Sequence, residues 1–97
     1  MSMELPELEE GLLDEATLRQ LCRDIQGFAQ LDQVLGKGGA RSRAPDGSLP
    51  LDQALEDLTS GRLMGLQLRY RYQGAGWFDT ILRTPAGFKV VRMKQPT

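Results

Sequence analysis

Residues 69–84 read RYRYQGAGWFDTILRT, two runs of alternating character on either side of Gly-Ala-Gly, and their pairing decides which side chains face a core. Successive side chains of a strand point to opposite faces. Met64, Leu66, Leu68, Tyr70 and Tyr72 therefore share one side, and Gln67, Arg69, Arg71 and Gln73 share the other. The tyrosine side is the core side, so tyrosines and arginines part company. A three-residue loop at 74–76 would set Tyr72 opposite Phe78, Arg71 opposite Asp79 and Leu68 opposite Leu82. A two-residue loop would place Tyr70 opposite Asp79 and bring a carboxylate to the core face, a slip that burial disfavours, so the three-residue loop is expected.

The same rule at 85–87 sets Leu82 against Val90 and Thr84 against Phe88 inside. The outer face then collects Trp77, Ile81, Val91 and Met93 among Arg69, Arg71, Arg83 and Lys89, with Asp79 near its middle as the partner of Arg71. Three strands, 62–73, 77–84 and 88–94, form an antiparallel meander.

Upstream the apolar period becomes helical. Asp14 can cap a helix from Glu15, whose Leu18, Leu21, Cys22 and Ile25 lie along one stripe. A second helix carries Leu51, Ala54, Leu55 and Leu58, with Ser48 as a cap, Pro50 in the first turn and Gly61 as the stop. Residues 28–37 (FAQLDQVLGK) can be read as helix from the spacing of Phe28, Leu31, Val34 and Leu35, or as a fourth strand bracketed by glycines. The expected fold is α+β, two helices packed on a three-stranded meander, in one domain over 14–97. Residues 1–13, rich in acids and interrupted by Pro6 and Gly11, are expected to be a mobile acidic arm.

A chain of 97 residues suits one domain. Its single cysteine excludes an internal disulfide, and without asparagine there is no N-glycosylation acceptor. The opening segment has no basic n-region, and no apolar run is long enough to span a membrane, so a cytoplasmic setting is expected. Net charge is −1, but residues 1–61 are acidic and residues 62–97 are basic, with Asp79 the only acid of the second half. That segregation either answers itself within the fold or meets an anionic partner.

Catalysis has little to work with. The chain has no histidine, and one cysteine cannot build a zinc site, so no metal, cofactor or catalytic residue is assigned. Cys22, on an apolar stripe, reads as a small core residue. The loop at 36–48 (GKGGARSRAPDGS) has glycines and Lys37 but lacks the Gly-Lys-Ser/Thr and following helix of a phosphate cradle. The expectation is a protein-interaction or regulatory module, an adaptor or accessory subunit, whose site is Trp77, Arg69, Arg71, Asp79, Ile81, Arg83, Val91 and Met93. Its partner is an acidic protein or a second copy. The alternative is single-stranded nucleic acid, stacked on Trp77 and lined by the arginines.

Overall fold

The computed structural model describes residues 8–38 and 49–95. Strand β1 (Leu8–Leu13) leads into helix α1 (Glu15–Phe28) and strand β2 (Gln30–Lys37). Helix α2 (Leu51–Ser60) and strands β3 (Gly65–Tyr72), β4 (Ala75–Thr84) and β5 (Gly87–Lys94) follow. All five strands join one antiparallel sheet in the order β1-β5-β4-β3-β2. The α+β class and the meander stand, and the sheet gains a strand at each edge. Residues 30–37 take the strand alternative. Residues 8–13 are not part of an arm: they pair with β5, with Leu13 opposite Phe88. Residues 1–7 and 39–48, including Ser48 and most of the glycine-rich loop, lie outside the described residues.

The helices form where their stripes require. Asp14 caps α1 by accepting from the Thr17 amide at 2.8 Å, which holds its carboxyl below the usual range. The helix continues through Gly27 to Phe28. Leu18, Cys22 and Ile25 from α1 and Leu51, Ala54, Leu55 and Leu58 from α2 enter a single core with Leu66, Leu68, Tyr70 and Ile81 of the sheet. Both helices thus cover the same face, leaving the domain with two layers.

The turn between β3 and β4 departs from expectation. It is a two-residue turn, Gln73-Gly74, with Tyr72 opposite Ala75. Both turn residues have positive φ, 52° and 79°, the pattern whose twist matches that of paired strands. Tyr70 consequently pairs with Trp77 and Leu68 with Asp79. The β4–β5 turn is also two residues, Pro85-Ala86, braced by Thr84, whose hydroxyl accepts from the Ala86 amide and donates to the Gly87 carbonyl. Gly87 is required where it stands: its φ is +141°, and a Cβ there would lie 2.7 Å from the Leu13 carbonyl oxygen of β1.

These turns bring Trp77, Asp79 and Ile81 of β4 to the helix side, at 5%, 0% and 0% exposure. The carboxylate tolerates the core because Arg92 stands opposite it on β5. Arg92 donates to Asp79 from Nε at 2.9 and 3.1 Å and from Nη2 at 2.8 Å, and the Tyr70 hydroxyl donates to Oδ1 at 2.8 Å. Arg83, on the same side of β4, donates from Nη1 to the carbonyls of Leu58 and Thr59, closing the C-terminus of α2. Arg83→Ala is expected to cost about 1–2 kcal/mol in chemical melts, because it removes charge-assisted bonds to orphan carbonyls.

Two buried weak acids, Cys22 and Tyr70, hold their protons more tightly in the fold than in the free side chains. Burial, and then the negative charge of Asp79, pushes the Cys22 thiol from 9.0 up to about 11. The same causes raise the Tyr70 hydroxyl well above its ordinary range. The unfolded chain releases these protons first, so their stabilising contribution is intact below about pH 9 and declines as pH rises toward 11. Thermal melts are expected to show a falling Tm across that window, and the Cys22 thiol should react with iodoacetamide only as the chain unfolds.

Candidate functional site

The second face of the sheet is uncovered by any described helix. Three cross-strand rows build its centre. Met93, Phe78, Arg69 and Gln33 form the first, Glu10, Val91, Thr80, Gln67 and Leu35 the second, and Leu12, Lys89 and Leu82 the third. Met93, Leu12 and Leu82 are 52%, 57% and 40% exposed, a dense group of large apolar side chains for one surface.

Polar side chains flank this stripe in a fixed arrangement. Gln67 donates from Nε2 to the Thr80 hydroxyl at 3.3 Å, and Arg69 donates from Nε to Gln67 Oε1 at 2.9 Å and from Nη1 to Gln33 Oε1 at 3.4 Å. Its guanidinium lies 5.0 Å from the centroid of the Phe78 ring, within cation–π range. The partners of Arg69 are amide oxygens, and its Nη2 makes no hydrogen bond among the described residues. Arg71, further along β3, is exposed and 3.4 Å from Asp32, and Lys89 is 3.6 Å from Glu10.

The expected site residues divide evenly. Arg69, Arg71, Val91 and Met93 lie on the open face as expected. Trp77, Asp79, Ile81 and Arg83 lie on the helix side, because the turn into β4 is one residue shorter than the reading assumed. Phe78, Thr80 and Leu82 take their places outside. The missed signal was Arg92: it shares parity with the core residues Phe88 and Val90, and a cation there calls for Asp79, the only acid of the meander.

A cavity of about 310 Å³ lies between α1 and the β1–β5 pair, where Gly11 presents no side chain opposite Val90. Arg92 lines it, but with its guanidinium bonded to Asp79. Among the described residues no group of three histidine, cysteine or acidic side chains could hold a metal, and no helix is long and apolar enough to cross a membrane. Comparison of the chain with protein-family models, curated proteins and solved structures finds no match.

Proposed function

We propose that the chain is a protein-interaction module whose open sheet face receives an acidic protein partner. The observation that carries this reading is the placement of both helices on one side, which leaves Leu12, Leu82 and Met93 exposed opposite them. Apolar centres rimmed by arginine are characteristic of interface cores. Among the described residues the face carries Arg69, Arg71, Lys37 and Lys89 against Glu10, with Asp32 at its edge. Two copies meeting face to face would bring these cations together, which favours an acidic partner over self-association.

A binding role also accounts for the buried ion pair without catalysis, since Asp79 is held by Arg92 and Tyr70 away from the open face. Single-stranded nucleic acid is the second reading, favoured by the pairing of Arg69 with Phe78. It is weaker because Phe78 is the single aromatic among the rows and Arg69 already covers it.

A photo-crosslinking side chain placed at Thr80, and at Gln53 on the exposed side of α2 as a control, tests this in cells that make the protein. A discrete protein adduct specific to position 80 is expected. A nucleic-acid adduct there would favour the second reading, and equal labelling at both positions would overturn the proposal.

A further inference from the structure

We infer that the partner segment is an acidic amphipathic helix lying along β4 and β5, with one of its carboxylates on Arg69; this rests on the open-face reading above. The width of the apolar stripe selects the element. Phe78, Thr80 and Leu82 on β4 and Val91 and Met93 on β5, with Leu12 of β1 at the edge, span three adjacent strands, whose outer two lie about 10 Å apart, close to the diameter of a helix. A second sheet would need apolar residues across all five strands, whereas β3 presents Gln67, Arg69 and Arg71, and β2 sets Gln33 and Lys37 on either side of Leu35.

Length and charge agree with that choice. From the Phe78 row to the Leu82 row is four residues of strand, about 14 Å, which a helix covers in roughly nine residues. Apolar residues at i, i+4 and i+8, about 6 Å apart along the helix, would meet the three rows in turn. The flank above β3 then passes over Arg69, whose Nε and Nη1 are fixed by Gln67 and Gln33 while Nη2 makes no hydrogen bond among the described residues. A guanidinium held in this way accepts a carboxylate with little further ordering. A glutamate or aspartate on that flank supplies it.

The test is selection of random 16-residue peptides on the full-length protein, with parallel selection on the Leu82→Asp/Met93→Asp double variant, whose altered positions are exposed. Peptides specific to the wild type are expected to carry apolar residues at helical spacing and net negative charge. The best of them, labelled and measured by fluorescence anisotropy, should lose at least about tenfold in affinity to Arg69→Glu and a smaller factor to Arg69→Lys. Circular dichroism should show the peptide gaining helix when bound. Peptides that require the open face but alternate as strands, or are basic, would overturn the helix and leave the interaction reading intact. Peptides that bind wild type, double variant and Arg69→Glu alike would overturn both, and the single arginine variant keeps that outcome readable if the double variant is unstable.

Discussion

Asp79→Ala is expected to lower the unfolding free energy by about 3–5 kcal/mol, because it leaves the Arg92 guanidinium buried without its counter-charge. Arg92 is 5% exposed and Asp79 is fully buried, so the guanidinium left behind is poorly solvated. The Tyr70 hydroxyl loses its acceptor in the same step. For a domain of this size the loss is about a fifth or more of a typical total stability of about 5–15 kcal/mol. Arg92→Met should cost a comparable amount for the mirror-image reason. Asp79→Leu/Arg92→Met, which removes both charges, should recover much of the loss, since apolar replacements of buried pairs are often neutral or stabilising. Urea melts of Asp79→Leu, Arg92→Met and the double variant, followed by Trp77 emission, form the cycle. Additive costs would show that the pair is not coupled.

Trp77→Ala is the second large effect, expected at about 3–5 kcal/mol as for other large core truncations. The outward register would have made the same change nearly neutral for stability, so the measurement separates the two turn lengths directly. Trp77→Phe should be much milder. Among the described residues the buried indole Nε1 has no hydrogen-bond partner, and removing an unsatisfied donor offsets part of the lost packing by about 1–3 kcal/mol. Far-UV circular dichroism is the appropriate probe, because these variants lose the chain's only tryptophan. In the wild type that tryptophan should emit to the blue of an exposed indole and resist quenching.

Much of this architecture was legible before any coordinates. The stripes of α1 and α2 and the inward side of β3 follow from period alone, and Leu18, Leu58, Leu66 and Tyr70 are fully buried where the pattern puts them. The parity of β4 was not legible in that way, because WFDTI has apolar residues on both sides. The choice rested on keeping a carboxylate out of the core, and that cost disappears once Arg92 stands across the ladder. The left-handed conformation of Gln73 was the other hidden element, since Gly-Ala-Gly advertises a turn one step further along. For β1, the acids of LEEGLL suggested a solvated arm. The close approach that Gly87 allows is visible only when β5 is in place. Half of the residues expected on the outer face lie there because β3 and β5 were read in the correct parity, and β4 exchanged Trp77 and Ile81 for Phe78, Thr80 and Leu82.

The strand order carries a consequence for how the chain is made. β1 is the first described element to leave the ribosome, yet its neighbour in the sheet is β5, the last. During synthesis β1 therefore has no template, while β3, β4 and β5 can zip through two-residue turns as soon as they emerge. Closing the longest loop in the fold is left until the end, when its entropic cost is met by a meander already formed. The end of β5 lies beside the start of β1, with Met93 opposite Leu8. A circular permutant joining them by a short turn would convert this slowest closure into a hairpin, so that the last strand to dock becomes one of the first.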